Sequence, residues 1–137
     1  MQEDKVRAFA TDYANAWSSQ EAAKVAAHFT TDGSLKINDG AASIGRAAIT
    51  EAAQSFMTAF PDMVVAMDSV RVEGSEAVFH WTLTGTNTGS NGSGKAVRFS
   101  GYEEWTLGDG GLILKSLGHF DQAEYERQLQ HGVSSQP

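Results

Sequence analysis

Cysteine is absent from the 137 residues of this chain, which excludes disulfides and thiolate catalysis and leaves no redox clue to its compartment. Basic residues are scarce. Ten Lys plus Arg face seventeen Asp plus Glu, for a formal net charge of −7. The ten are scattered from Lys5 to Arg127 and form no stripe, which argues against nucleic acid and anionic membranes as partners. No stretch approaches the roughly eighteen apolar residues of a membrane span. The opening Met1-Gln2-Glu3-Asp4 is polar and acidic, so no signal peptide is predicted and a cytoplasmic protein is expected. No His-x-Glu, His-x-x-x-His or carboxylate cluster stands at ligand spacing, so neither a metal nor an organic cofactor is expected.

What is present is ordinary globular material, 41% hydrophobic and 20% charged. Its length predicts one domain over 1–137, with a core of about 3–131 and a frayed tail at 132–137. Val6, Phe9, Ala10, Tyr13, Ala14 and Trp17 recur at helical spacing and predict a helix over 3–17. Ser19 reads as the N-cap of a short second helix running to about Phe29, and Thr31-Asp32-Gly33 as a turn. Ser34–Asn38 and Ala42–Ile44 flank Asp39-Gly40 in a hairpin pattern. A third helix is predicted from Arg46 to Phe60, stopped by Pro61. Four strands follow at 64–73, 76–88, 95–107 and 112–120.

The glycine-rich stretch from Thr84 to Gly94 lacks Gly-Lys-Ser/Thr and joins two strands, so it reads as a long mobile hairpin connection and not a phosphate loop. Asp121 and Glu124 form a capping-box pattern ahead of a closing helix to about His131. Helices first and a mostly antiparallel sheet afterwards predict an α+β fold with helices on one face. A strongly curved sheet around helices makes a cone with a pocket at its mouth.

Within the 99–107 strand, side chains alternate between faces. Phe99, Gly101, Glu103, Trp105 and Leu107 share the face that should be buried, whereas Glu104 lies with Ser100, Tyr102 and Thr106 on the polar one. An unpaired inward carboxylate costs several kcal/mol or takes up a proton. Glu103 therefore reads as a partner of a buried Arg, as a side chain that reaches the sheet edge through a short register error, or as a carboxyl tuned for proton transfer.

The ordered set Gly45-Arg46, Phe60-Pro61-Asp62, Trp81 to Thr86, Phe99-Ser100-Gly101, Gly118-His119-Phe120-Asp121 and Gln128-Leu129 resembles the SnoaL-like branch of the nuclear transport factor 2-like superfamily. These are small α+β cone proteins, among them ketosteroid isomerases, scytalone dehydratase, limonene epoxide hydrolases and polyketide cyclases. The resemblance implies that Tyr13 matches the isomerases' hydrogen-bonding tyrosine. It also implies that Glu103 matches their neutral carboxylic acid, kept protonated by an apolar site. The isomerase base position falls at Ile37 or Asn38, and the cyclase base position at Gly118. Neither place holds a carboxylate. Asp68 is a candidate inward acid, but Arg71 and Arg98 alternate away from it, so the epoxide-hydrolase pattern is incomplete.

Candidate catalytic residues are thus Glu103 as acid/base, Tyr13 as hydrogen-bond donor and His119, which is set either at the pocket mouth or in a packed or dimer-facing position. Trp17, Phe56, Phe60, Trp81, Phe99, Trp105 and Phe120 are candidate ligand-lining residues. A Tyr13–Glu103 hydrogen bond is expected. His80 is assigned to the convex sheet face, His28 and His131 to helix surfaces, and Asp121 to capping. Two functions stay open: a cofactor-free isomerase, lyase or cyclase acting on a small apolar or polyketide-like molecule, or a non-catalytic ligand-binding or dimerisation module. The resemblance further implies a homodimer through the outer sheet face, with Tyr102, His80, Thr82 and Thr84 upon it.

Overall fold

The computed structural model describes residues 3–89 and 92–133. Ser90 and Asn91, inside the connection expected to be mobile, and 134–137 of the expected tail lie outside the described residues. Helix α1 spans Glu3–Ser18, α2 Ala22–Ala26, α3 Arg46–Ala59 and α4 Gln122–His131. The strands are β1 (Phe29–Ile37), β2 (Ser43–Ile44), β3 (Val64–Glu73), β4 (Glu76–Thr86), β5 (Ala96–Leu107) and β6 (Ile113–Phe120). They form one sheet in the order β2-β1-β6-β5-β4-β3. Every pairing is antiparallel except β1 with β6. The expected α+β layout is the observed one.

Helix α1 buries Val6, Ala10, Tyr13, Ala14 and Trp17, the stripe that its sequence spacing dictates. It lies along β3, where Ser18 Oγ accepts from Val65 N–H at 2.8 Å and reaches the Val65 carbonyl at 3.2 Å. The expected cap works differently from a helix N-cap. Ser19 Oγ accepts from Glu21 N–H at 3.0 Å and bonds the Ala16 carbonyl, so it bridges two helices. Helix α2 ends at Ala26 and does not reach Phe29, which instead opens β1. The Arg46 guanidinium seats itself on the Phe29 carbonyl at 2.7 and 3.0 Å, which gives the Gly45-Arg46 motif its structural purpose.

The expected turn at Thr31-Asp32-Gly33 lies inside β1 and is a correction to the sequence reading. Phe29 pairs with Ile113 but Ser34 with Lys115, so the intervening residues bulge out of the ladder. The Asp39-Gly40 hairpin is present, with Leu35 opposite Ser43. The described part of the β4–β5 connection is tied to α3 by Asn87, whose amide donates to the Ala59 carbonyl at 3.0 Å.

Helix α4 begins as expected, with Asp121 accepting from Glu124 N–H at 3.0 Å. The reciprocal half of the capping box is not made. Glu124 turns instead to Arg127 and Gln128, which hold its carboxyl down to about 2. Gln128 has a further task. Strand β6 ends opposite Gly101, leaving Arg98 without a ladder partner on that side. The buried Gln128 amide supplies one: it accepts from Arg98 N–H at 2.7 Å and donates to Arg98 O at 2.9 Å. The helix is thereby fixed over the end of the sheet, with Tyr125 against Phe99 and Phe120. Gln128→Leu keeps the volume but strands both backbone groups. Urea unfolding should show a loss of about 1–3 kcal/mol.

Candidate functional site

Strand β5 keeps unbroken alternation from Val97 to Leu107, and this carries Glu103 inward. Its side chain is only 7% exposed. Three donors meet on one carboxyl oxygen. Tyr13 OH lies 2.9 Å from Oε1, Trp105 Nε1 2.9 Å and Ser116 Oγ 2.8 Å. The other oxygen, Oε2, has only a longer 3.3 Å contact with the same tyrosine hydroxyl. The expected Tyr13–Glu103 bond is therefore present. Among the described residues no Lys, Arg or His pairs with this carboxyl. The buried-arginine explanation is thus set aside.

The donors come from separate elements, and aromatic packing fixes them. Tyr13 is fully buried, edge-on to Phe79 at 5.4 Å and to Trp105 at 5.3 Å. Trp105 is stacked on Phe79 at 5.0 Å and covered by Phe9 at 5.6 Å. Burial pushes the Glu103 carboxyl above its ordinary range, and hydrogen bonds from Trp105, Ser116 and Tyr13 pull in the opposite direction. Burial, with the nearby Glu103 charge, also lifts Tyr13 well above the usual phenol value.

Glu103 lines a cavity between helices and sheet. It offers about 50 Å³ to the centre of a water-sized sphere, against roughly 10–15 Å³ for one water. Of the expected lining residues, Trp17, Phe56, Trp81, Phe99 and Phe120 are on its wall. Leu35, Ile37, Phe79 and Gly118 also line it and were not singled out as lining. Phe60 and Trp105 are not on the wall. Phe60 is fully buried beyond the end of α3, against Tyr125, and Trp105 is sealed beneath α1. Tyr13 does not reach the cavity either. Its hydroxyl is engaged with Glu103, behind the wall.

His119 stands on the opposite side of the sheet. It stacks on Tyr102 at 4.8 Å and bonds Glu104 at 2.9 Å, lining a separate groove with Lys36, Asn38 and Gln122. A bulge decides between the two positions expected for it. Thr106 pairs with Lys115 and Leu107 with Ile113, so Leu114 is an extra residue and the alternation changes phase there. Ser116 and Gly118 turn inward; Leu117 and His119 turn outward. The same device corrects Asp68, the extra residue between the Met67 and Ser69 pairings. It faces outward and accepts from Thr82 Oγ1 at 2.6 Å. His28 is not a plain surface residue, since its ring meets Phe9 and Tyr13 at 5.0 and 5.6 Å. No group of three or more potential metal-ligating side chains occurs among the described residues, and no described helix is long and apolar enough to cross a membrane.

Four helices packed with a six-stranded mixed sheet in this order make the ketosteroid isomerase-like, nuclear transport factor 2-like fold. The chain belongs to the SnoaL-like polyketide cyclase family, whose model matches residues 7–129. Among solved structures it is similar to TsrD from Streptomyces laurentii (TM-score 0.80, 17% identity, covering 94% of this chain and 97% of that one). It is also similar to a ketosteroid isomerase-like protein from Catenulispora acidiphila in complex with trimethylamine (0.74, 16%, 83% and 85%). A third is the epoxide hydrolase/cyclase-like enzyme SalBIII of pyran ring formation in the polyether salinomycin (0.75, 17%, 90% and 96%). No curated protein sequence matches the chain.

Because the folded Glu103 carboxyl binds its proton more tightly than an unfolded one, its favourable contribution is complete below about pH 4.3 and declines as pH rises through the folded value. Urea midpoints of the wild type and Glu103→Gln, compared from pH 4 to 8, should show the wild type losing ground as pH rises, until the folded value is passed. A constant difference would mean that this carboxyl titrates alike in both states.

Proposed function

We propose that the chain binds a small, largely apolar carbonyl compound between its helices and its sheet, and that Glu103 moves a proton on it without a cofactor. The observation that carries this is the carboxyl itself: desolvated, free of any cation, and held through one oxygen at the wall of an otherwise apolar cavity. Desolvation moves a carboxyl toward neutral pH, where an acid/base group is most effective. Trp105, Ser116 and Tyr13 hold Oε1, leaving Oε2 to face the substrate. As a carboxylate, Glu103 takes a proton from the carbon beside the carbonyl, and the electron pair moves onto the carbonyl oxygen. The neutral acid then returns that proton to another carbon of the conjugated system, which is an isomerisation. If the enolate instead attacks an electrophilic carbon of the same molecule, a ring closes, and Glu103 protonates the group left negative. The family match to polyketide cyclases supports this class of substrate.

A second reading, a pure binding module, is favoured by one fact. Among the residues lining the cavity Glu103 is the one titratable group, because Gly118 and Ile37 occupy wall positions where relatives place a base. Deuterium incorporation into 2-tetralone and cyclohex-3-enone, followed by NMR in D2O, separates the two. Exchange above the buffer rate that falls about 10²–10⁴-fold in Glu103→Gln supports proton transfer. Saturable binding of either ketone with exchange at the buffer rate supports the binding module.

Pairing of two copies through the outer sheet face is part of the same proposal. That face carries Tyr102, 38% exposed, between His80 and His119 at 5.6 and 4.8 Å. Sedimentation should show a dimer that Tyr102→Glu converts to monomer. A monomeric wild type at micromolar concentration would remove the dimer from the proposal.

A further inference from the structure

Among the described residues, Trp81 Nε1 is the one buried side-chain polar atom without a hydrogen-bond partner. Its residue is 8% exposed and lines the cavity. Buried donors are ordinarily satisfied, so an orphan donor on a cavity residue is a candidate contact for a ligand acceptor. The neighbouring groups do not supply an acceptor. Phe99 and Phe120 stand edge-on to the indole at 5.7 and 6.0 Å, and Glu103 is engaged elsewhere.

The position of this donor relative to Glu103 is set by the ladder. Trp81 pairs with Gly101 and Phe79 with Glu103, so Trp81 and Glu103 are diagonal neighbours on the inner face, within reach of one another's long side chains. Both residues stand on the wall of the same cavity, so one small carbonyl compound can meet the indole with its oxygen and the carboxyl with a neighbouring carbon. Gly101 lets the indole lie this close, because a Cβ there would fall 2.6 Å from Trp81 Cζ2. Cζ2 adjoins the carbon that bears Nε1, and the same Cβ would lie 3.0 Å from Phe120 Cβ. The N–H edge therefore lies beside Phe120, a half-buried ring at the end of β6.

We infer that Trp81 Nε1–H is the donor for the ligand's carbonyl oxygen, reached when the Phe120 ring moves aside, and that the ligand is a neutral, compact ketone or enone. Such a donor is best placed to stabilise negative charge as it develops on that oxygen. It also sets specificity, since a ligand that only donates hydrogen bonds leaves the indole unpaired. The assignment rests on the cavity being the binding site, but not on Glu103 being catalytic.

The test uses cyclohex-2-enone and 3-methylenecyclohexene, which differ only in an oxygen replaced by CH2. In protein labelled with 15N-tryptophan and 13C-methyl Leu and Ile, the Trp81 indole signal is identified by Trp81→Phe. The enone should move it downfield saturably and bind about tenfold more tightly than the hydrocarbon, one hydrogen bond's worth. Trp81→Phe should erase that preference while leaving hydrocarbon affinity within about threefold. The same shift in Glu103→Gln supports the assignment whether or not Glu103 transfers protons. Equal affinity for the two probes overturns the donor, as does enone binding that shifts Leu35 and Ile37 methyls but not the indole. Silence of those methyls with both probes overturns the cavity as binding site, and this assignment with it.

Discussion

The architecture around the cavity depends on keeping one carboxyl out of water without a counter-charge. An ionised carboxylate in such a place costs several kcal/mol unless hydrogen bonds replace its hydration. Here the replacement comes from three donors on three elements: Tyr13 of α1, Trp105 of β5 itself, and Ser116 of β6. That makes the register of the β5–β6 ladder and the seating of α1 on the sheet conditions of a tolerable Glu103. It also accounts for the concentration of aromatic rings behind the carboxyl. Phe9, Phe79 and Trp105 hold the donors at fixed distances, and an apolar shell that excludes water is what raises the carboxyl's proton affinity.

The sequence makes β5 legible because its alternation never breaks, so the inward direction of Glu103 and Phe99 could be anticipated from spacing alone. Strands β3 and β6 each carry an extra residue, Asp68 and Leu114, and neither has a signature in composition. One inserted residue exchanges the two faces of everything beyond it. Spacing consequently leaves the side of His119 undecided and gives no sign of Ser116, although Ser116 is one of the three groups on Glu103. Phe60 and Trp105 show a different limit. Apolar periodicity identifies what is buried, but burial in the wall of a cavity and burial behind that wall look alike in sequence. The resemblance to known cone proteins supplied the overall layout and the pairing of Tyr13 with Glu103. It could not say that the tyrosine would sit outside the cavity.

A site with one titratable group is chemically restrictive. Separate acid and base residues allow a proton to enter on one side of a substrate and leave on the other. A single carboxyl must deliver from the position at which it receives, so the two carbons have to lie on one face of the bound molecule. The wall at Gly118 sharpens this restriction. A Cβ there would stand 3.7 Å from Glu103 Cγ and 3.4 Å from the Lys36 carbonyl, ordinary contact distances, so the backbone tolerates a side chain that the sequence does not provide. On the proposed reading, its absence leaves no second carboxyl on that wall to oppose negative charge on a ligand's carbonyl oxygen. On that reading, a lone acid with an uncharged indole donor across the ladder suits enolate chemistry on neutral ketones better than epoxide opening, which needs an activated water held by more than one polar group.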